Sequence, residues 1–323
     1  MPTQGPWTNK KVLVTGGAGF IGSHLVEQLV AAGAVVMVVD NLSTGCRENL
    51  LSVDGAVQVY EQDIRQVAWE KMLSGQQYDF IFHLAANAYV PPSVERPAWD
   101  FDINLAGSFR LLEVLRSIKW PGVLLYVSSA AVYGDPVRVP IHEDDPTVPV
   151  SPYGVAKLAA ERYLAVYSRL YGLRAASLRF FSVYGPRQRK QVVYDLIQKI
   201  GHNPTELFIH GDGTQVRDFN YVEDTARAAM LVAERDALRG EVYNVASGRE
   251  CSIGELANML CRILNVQPRF IYSGSVRPGD PEKWSVDTGR LVALGYQPEV
   301  SLEEGLRRTV EWFRREHYAL LGA

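Results

Sequence analysis

Cysteine is scarce in this chain of 323 residues. Only Cys46, Cys251 and Cys261 are present, and their spacings are unrelated to one another. An odd number of cysteines at such spacings matches neither a disulfide framework nor a zinc site. We therefore expect three reduced, mostly buried thiols and no bound metal, as is usual for a cytoplasmic protein.

Long apolar runs and an excess of one charge are also missing. No stretch approaches the roughly 20 apolar residues that span a bilayer, and residues 1–9 lack the basic-then-apolar pattern of a secretory signal. The formal charge of −3 provides no field that would attract nucleic acid or a membrane surface. The arginines are scattered rather than interleaved with aromatic residues in a basic patch. We expect a soluble, cytoplasmic protein in which any anion site is built locally.

Short apolar segments alternate with helical patterns through the first half of the chain. Runs rich in Val, Ile and Leu predict buried strands at residues 11–15, 35–40, 57–61, 79–84, 123–128 and 174–181. Amphipathic patterns between them predict helices at residues 20–32, 65–74, 101–119 and 152–171. Buried strands that alternate with helices predict an α/β fold with a Rossmann-type, doubly wound parallel sheet.

The second half of the chain is interrupted more often by glycine and proline. Between these breaks, short helices are predicted at residues 192–200, 222–234, 253–264 and 302–317. This texture indicates a smaller α/β lobe that binds substrate. We place a dinucleotide-binding domain at residues 1–182 and the second lobe at 183–323, with some chain exchange between them.

A glycine-rich turn joins the first predicted strand to the first helix. Gly16 permits the tight turn, Gly19 lets the backbone approach a pyrophosphate, and Gly22 allows close packing of the helix. The helix N-terminus, with Phe20 and Ile21 in its first turn, supplies N–H donors and a positive dipole. This context predicts a dinucleotide site, and a glycine turn without ligand is the alternative.

The ends of the next strands supply candidate contacts to the rest of the dinucleotide. Asp40 ends the second strand, where its carboxylate would accept both ribose hydroxyls of NAD and repel the extra phosphate of NADP. Asp63 and Ile64 would bracket the adenine ring; the alternative for Asp63 is a helix N-cap. The remaining predicted contacts follow the second and fourth strands: Asn41, Ser43, Thr44, Gly45, Leu84, Ala85 and Ala86.

A phenol and an ammonium group lie one helical turn apart in the helix predicted to follow the strand at 123–128. Tyr153 and Lys157 at i and i+4 share one face of that helix. The ammonium and a cationic nicotinamide ring would lower the pKa of the phenol, and Lys157 would hold the nicotinamide ribose. Ser128 and Ser129, at the end of that strand, would hydrogen-bond the reacting oxygen. For Ser128, a turn-forming role is the alternative.

These motifs in this order resemble the extended short-chain dehydrogenase/reductase family, in its NAD-dependent nucleotide-sugar epimerase/dehydratase branch. The matching segments are residues 16–25, 40–45, 83–86, 128–134, 153–157, 179–188, 211–221 and 277–280. The resemblance implies that Ser129, Tyr153 and Lys157 form the catalytic triad.

The same resemblance implies a set of substrate contacts. Arg217 and Arg277 would clasp a nucleotide diphosphate, since guanidinium groups bind phosphate through paired donors. Phe181 would lie near the nicotinamide, and Arg187 and Asp280 fall in matching segments and are assigned to the substrate. A surface ion pair is the alternative for each arginine.

Two alanines restrict the class of reaction that the resemblance allows. The 4,6-dehydratases of this family carry an acid and a base where this chain has Ala130 and Ala131, and the decarboxylating branch resembles a motif with Glu at the second position. Alanine performs neither role. A C4 epimerase with tightly held NAD or a reductase of a 4-keto sugar remains, and a non-catalytic dinucleotide-binding regulator is the alternative of another class.

Three positions bear on the sugar. Ser182 stands where the family often has Asn, and the basic residue Arg189 follows it. This combination resembles UDP-glucuronate 4-epimerases, in which the hydroxyl and the guanidinium would suit the carboxylate of the sugar. The alternative is that Ser182 reflects a change in packing and that Arg189 is a solvated loop charge. By resemblance, the large ring of Trp284 restricts the pocket and favours plain hexoses or hexuronates over 2-acetamido sugars, although a lobe-packing role is equally open. The substrate is therefore expected to be a UDP-hexose or a UDP-hexuronate.

The predicted helices at 101–119 and 152–171 carry apolar residues on more than one face. Related enzymes pair these helices across a two-fold axis, which implies a homodimer.

Overall fold

The computed structural model describes residues 5–235, 237–274 and 283–316. Its largest element is a parallel sheet of seven strands, which confirms the predicted doubly wound α/β fold. The strands of this sheet are β1 (Lys11–Thr15), β2 (Val35–Asp40), β3 (Val57–Glu61), β4 (Phe80–His83), β5 (Val123–Ser129), β6 (Arg174–Phe180) and β10 (Glu241–Val245).

The order of the strands places the functional loops side by side. The sheet runs β10-β6-β5-β4-β1-β2-β3, so the chain moves outward in opposite directions from β1 and β4. The loops that leave the carboxyl ends of these two strands therefore form a crevice, where doubly wound folds bind dinucleotides. The centre of the sheet is buried on both faces, which explains the continuous apolar runs of β1, β2 and β4.

Helices cover both faces of this sheet and also pack against the strands of the second half of the chain. They are α1 (Phe20–Ala31), α2 (Trp69–Gly75), α3 (Val90–Glu95), α4 (Pro97–Phe101), α5 (Ser108–Ser117), α6 (Pro152–Tyr171), α7 (Gln191–His202), α8 (Val222–Ala233), α9 (Ile253–Leu264), α10 (Gly289–Val292) and α11 (Leu302–Glu316). Residues 47–53 and 130–132 form short 3-10 turns.

Two predicted helices differ from the structure. The helix predicted at 65–74 begins only at Trp69, because the Asp63 carboxylate binds the side chain and backbone N–H of Arg65 and closes a turn there. Asp63 is therefore not a helix N-cap. The helix predicted at 101–119 is replaced by α4, a π-helical stretch at Asp102–Gly107 and α5. Such π turns occur frequently at functional sites.

The second half of the chain adds two small sheets. One orders β11 (Glu250–Ser252), β9 (Val216–Tyr221) and β7 (Ser182–Tyr184), and the other pairs β12 (Arg269–Tyr272) with β8 (Glu206–Ile209). The same half also supplies β10 to the edge of the main sheet and packs α8 against α1. Two segments that follow residue 182 in the chain therefore pack with the elements that precede it.

Within the described ranges, none of the helices has the combination of length and apolar character needed to cross a bilayer. In the same part of the chain, no group of His, Cys, Asp or Glu side chains is arranged to hold a metal ion. All three cysteines are free thiols; Cys251 and Cys261 are buried, and Cys46 is partly exposed.

Candidate active site

The glycine turn is a tightly packed backbone cradle at the end of β1. Gly16 has a φ of +72°, and a Cβ atom there would lie 2.8 Å from the backbone N of Ala85. At Gly22 a Cβ would lie 2.1 Å from the carbonyl oxygen of Gly16, so α1 packs directly on the turn. A Cβ at Gly45 would meet the Ala18 backbone at 2.6 Å. At these three positions the chain therefore has room for backbone atoms but for no side chain.

Gly19 directly precedes α1, and no side chain caps this helix. Its first N–H groups, at Phe20 and Ile21, have no partner within the helix. Together with the positive end of the helix dipole, they form the kind of anion site that binds a pyrophosphate.

The carboxylate of Asp40 is buried beside this cradle. One oxygen accepts the backbone N–H of Ala18 at 3.0 Å, and the other accepts that of Leu42 at 2.8 Å. Burial raises the pKa of Asp40, and these two hydrogen bonds oppose the rise. A carboxylate has about four lone-pair positions, so two remain for ribose hydroxyls. Asp40 thus fixes the glycine turn through Ala18 and keeps acceptor positions open.

The predicted adenine contacts at the end of β3 are already engaged with protein groups. Asp63 accepts both Nε and Nη2 of Arg65, at 2.8 and 2.7 Å, and the side-chain amide of Asn41 at 3.0 Å. These bonds, the one from the Arg65 side chain above all, lower the pKa of Asp63 to about 2. Ile64 is buried in the core. Ser43 and Thr44 are exposed in the loop that follows β2.

A buried hydrogen-bond chain supports the end of β4 from below. The Ser108 hydroxyl donates to the Asn104 carbonyl at 2.8 Å, so its oxygen accepts from His83 Nε2 at 3.0 Å. His83 Nδ1 then accepts the hydroxyl of Thr15 at 2.7 Å, and Thr15 accepts the backbone N–H of Ala85 at 3.2 Å. The chain fixes the backbone where Leu84, Ala85 and Ala86 leave the strand.

Ser129, Tyr153 and Lys157 are brought together at the carboxyl end of β5. Ser151 caps α6 by accepting the N–H of Gly154 at 3.1 Å, which places Tyr153 in the first turn. Ser129, at the end of β5, is close enough to the Tyr153 phenol to lower its pKa. Lys157, one turn further along α6, donates to the carbonyl of Val127 at 2.8 Å. The structure thus brings the three predicted residues together, with Tyr153 and Lys157 buried and Ser129 partly exposed.

The two ionisable members of the triad are shifted in ways that oppose their charged forms. Burial raises the pKa of Tyr153 to about 12, although the bond to Ser129 lowers it. Burial lowers the pKa of Lys157 to about 8, while Asp100 and Glu161 raise it. Burial thus outweighs the lowering of the phenol pKa that the sequence predicts, and a cationic ring beside the phenol would be needed to reverse it.

A carboxylate that sequence reasoning overlooked lies near the triad. Asp100 is fully buried; its Oδ1 accepts the side-chain amides of Asn87 and Asn104, both at 2.7 Å. Among the described residues Oδ2 has no hydrogen-bond partner. Its charge favours the ammonium form of Lys157. The available sequence signal was polar Asn104 on the inner face of the predicted helix 101–119.

Phe181 and Trp284 form one wall beside the triad. Their rings meet edge to face with centroids 5.4 Å apart, and the same apolar cluster includes Ala130, at the catalytic loop. Ser182 begins β7 next to Phe181 and is partly buried. In the described part of the chain, the Ser128 hydroxyl and the Trp284 indole N–H are buried without a hydrogen-bond partner.

The predicted substrate arginines occupy different environments. Arg217 lies on β9 with its Nη1 bonded to the Val216 carbonyl at 2.7 Å. Arg189 is exposed and faces Glu316 at 3.4 Å, whereas Arg187 pairs with Glu27 of α1. Two further predicted contacts, Arg277 and Asp280, lie outside the described residues.

Residues 12–246 match the model of the NAD dependent epimerase/dehydratase family. The chain belongs to this family. The match spans the glycine cradle and the Ser129–Tyr153–Lys157 group.

Three solved structures of similar proteins share the fold of this family member over nearly its whole length. The chain is 40% identical to UDP-glucose 4-epimerase from Thermotoga maritima, solved with UDP-glucose, over 95% of this chain and 99% of that one, with a TM-score of 0.87. It is 35% identical to UDP-N-acetylglucosamine 4-epimerase from Methanobrevibacter ruminantium M1, over 96% and 99%, with a TM-score of 0.89. It is 32% identical to UDP-glucuronic acid 4-epimerase from Bacillus cereus, solved with UDP-glucuronic acid and NAD, over 95% and 99%, with a TM-score of 0.86.

NAD is the cofactor of this family, and the glycine cradle fits it. The cradle leaves no space for a Cβ at Gly16 or Gly22 and exposes backbone N–H donors at the start of α1. Asp40 retains lone pairs for ribose hydroxyls and presents a carboxylate where the NADP phosphate would be repelled. These residues agree with the NAD predicted from the sequence.

Two buried histidines make the stability of this epimerase-family protein depend on pH. Burial lowers the pKa of His24 to about 4 and that of His83 to about 3, from an ordinary value of 6.5. Between these values and 6.5 the unfolded chain binds more protons than the folded protein. Stability contributed by the histidines is therefore present above pH 6.5 and is lost as the pH falls, by about 1.4 kcal/mol per pH unit for each.

The measurement is urea unfolding between pH 7 and pH 4.5, compared with the variant His83→Gln. Burial raises the pKa of Asp218 to about 6, and this carboxyl stabilises the fold as pH falls, so it offsets part of the slope. The difference in slope between the two proteins isolates His83. We expect the free energy of unfolding to fall less steeply with decreasing pH in His83→Gln than in the parent protein. In His202→Gln, a substitution at an exposed position, the slope should be unchanged. Equal slopes in all three proteins would contradict the assignment.

Proposed function

We propose that the protein catalyses C4 epimerisation of a UDP-sugar through a 4-keto intermediate. The observation that carries this proposal is the grouping of Ser129, Tyr153 and Lys157 at the crevice of an NAD-binding sheet. Ala130 and Ala131 follow Ser129, so the acid and base that a dehydratase places there are missing. Proton exchange with one sugar hydroxyl, coupled to hydride exchange at the carbon that bears it, is the chemistry that this site can perform.

The proposed roles follow from the hydrogen bonds of the triad. The glycine cradle and Lys157 would hold NAD, which would supply the hydride acceptor and donor for the sugar carbon. The Tyr153 oxygen takes the proton of the C4 hydroxyl and later gives it back, while Ser129, beside Tyr153, holds the same sugar oxygen. Lys157 holds the nicotinamide ribose, and its ammonium favours the phenolate.

The diphosphate contact is proposed for Arg217, together with Arg277 outside the described residues. An anchored diphosphate would let the 4-keto sugar turn over between the two hydride transfers. The guanidinium of Arg217 lies on β9, whose neighbour β7 begins at Ser182 beside Phe181. This placement supports a substrate that extends from the triad toward the three-stranded sheet that contains β7 and β9.

We propose a UDP-hexose as the first substrate class, with glucose and galactose as the C4 pair. The edge-to-face packing of Trp284 on Phe181 supports it, because a large ring restricts the space beside the sugar. A second candidate, the UDP-glucuronate and UDP-galacturonate pair, is favoured by Ser182 and Arg189. A hydroxyl and a guanidinium suit a carboxylate, and the pair of Arg189 with Glu316, at 3.4 Å, is an exposed one of the kind that contributes little.

Exposed apolar side chains support the proposal of a homodimer. Their shared feature is a position on α4 or on the outer face of α6, away from the sheet: Phe101, Val155, Tyr163, Val166 and Leu170. Apolar residues grouped on neighbouring helices are typical of an isologous contact.

The test is to denature the purified protein, quantify the NAD released, and incubate the native protein with each UDP-sugar without added cofactor. We expect bound NAD and conversion of UDP-glucose to its C4 epimer. Conversion of UDP-glucuronate alone would transfer the proposal to the hexuronate pair. Arg189→Met should then abolish most activity, whereas Lys190→Met, at the neighbouring exposed position, should not. An empty protein that turns over only a 4-keto sugar with added reduced cofactor would support the reductase instead.

A further inference from the structure

The loop after β7, residues 185–190, is fastened to the cofactor-binding helix α1. Arg187 forms a two-pronged ion pair with Glu27, with Nη1 at 3.0 Å and Nη2 at 2.5 Å from the carboxylate oxygens. The same Nη1 donates to the Ser23 hydroxyl at 3.2 Å. One residue earlier, the carbonyl of Pro186 bonds His24 Nε2 at 3.1 Å. We call these five residues the clamp.

The clamp is sheltered from solvent. The side chains of Arg187 and Glu27 retain 18% and 24% of their exposure, and Glu27 also accepts the hydroxyl of Ser52. Partial burial and paired geometry make such an ion pair stronger than one at the open surface. Arg187 is also in the left-handed region, with φ of +72°, which residues other than glycine rarely adopt. The pairing with Glu27 supports this unfavourable backbone conformation.

The two parts that the clamp joins belong to different halves of the site. α1 begins at the glycine cradle, only three residues before Ser23, and Phe20 packs edge to face against His24 with centroids 6.3 Å apart. The 185–190 loop follows the strand of Ser182 and carries Arg189. A loop fastened in this way has its position set by the helix that binds the cofactor.

We propose that Arg187 is a positioning residue that holds the 185–190 loop in place for the substrate, acting through Glu27 rather than by binding the diphosphate. This inference rests on the proposed function, since it assigns that loop to the substrate side of the site. It departs from the direct contact that the sequence resemblance implies for Arg187. The guanidinium has its anion already, and it lies on the flank of α1 rather than at its N-terminus.

The two roles of Arg187, positioning the loop or binding the diphosphate, predict different effects of Glu27→Gln on UDP binding. If Arg187 acts through the clamp, Glu27→Gln and Arg187→Gln disturb the same contact and weaken UDP binding alike. We expect each variant to lose about tenfold in affinity for UDP, and the double variant to lose no more than either, because the residues act as one unit. If Arg187 instead binds the diphosphate, Arg187→Gln weakens UDP binding while Glu27→Gln leaves it unchanged or tightens it.

The experiment is calorimetric titration of the NAD-loaded protein with UDP, together with KM and kcat for the sugar that it converts. Unfolding temperature verifies that each variant is folded, and Glu303→Gln, in an exposed ion pair with Arg307 on α11, is the matched control. We expect KM to rise with kcat within about twofold, and partial recovery in Arg187→Lys. Unchanged affinity in Glu27→Gln overturns the clamp. A parent protein that binds no UDP would instead overturn the proposed function.

Discussion

Replacing Tyr153 with phenylalanine is expected to lower kcat about 10³-fold while NAD remains bound. The variant keeps the buried ring and removes only the phenol oxygen, which interacts with Ser129. General acid–base groups contribute roughly 10²- to 10⁴-fold to rates, and Tyr153 is the group proposed to exchange the proton. The measurement is the rate of C4 conversion of the UDP-sugar, with released NAD quantified after denaturation.

Tyr163→Phe is the matched control for this substitution. Tyr163 lies on the same helix, two to three turns further along, but 44% of its surface is exposed. We expect its rate to equal that of the parent protein. A Tyr153→Phe variant that retained more than a tenth of the parent kcat would exclude Tyr153 as the group that exchanges the proton.

The main sheet is predictable because most of its first six strands are rich in apolar residues. Strands β1, β2 and β3 begin and end at the predicted residues. β1 and β2 are largely buried, whereas β3 is an edge strand in which Gln58 and Glu61 are exposed. The strand β10 could not be assigned from its own pattern. Its place at the sheet edge beside β6 follows from a long-range pairing that local sequence does not encode.

The triad was predictable because its spacing is local and its motif is specific. Tyr153 and Lys157 lie on one helix, and Ser129 ends the strand next to the crevice. The partner of Arg187 was not predictable, because Glu27 is 160 residues away and the loop is placed by tertiary packing. The buried Asp100 was missed for a related reason: its neighbours Asn87 and Asn104 meet it only across a π-helical stretch.

The second large effect concerns a buried ion pair behind the triad. Arg179 of β6 binds Glu161 of α6 through Nε at 3.0 Å and Nη2 at 2.8 Å, and both side chains are 2% exposed. Nη1 also donates to the Tyr133 hydroxyl at 2.8 Å. We expect Arg179→Met to lower the free energy of unfolding by about 3–5 kcal/mol, because it leaves the charge of Glu161 buried without its partner. Urea unfolding measures the loss.

A double variant separates the unpaired charge from the lost packing. In Arg179→Met/Glu161→Leu no buried charge is left alone, so we expect it to be more stable than Arg179→Met, although one more residue has changed. Arg269→Met is the control, since its pair with Glu206 is exposed and should contribute about 1 kcal/mol or less. A double variant less stable than the single one would mean that the network with Tyr133, rather than charge pairing, determines the cost. Because Glu161 also favours the ammonium form of Lys157, the double variant should in addition show a lower pKa for that lysine.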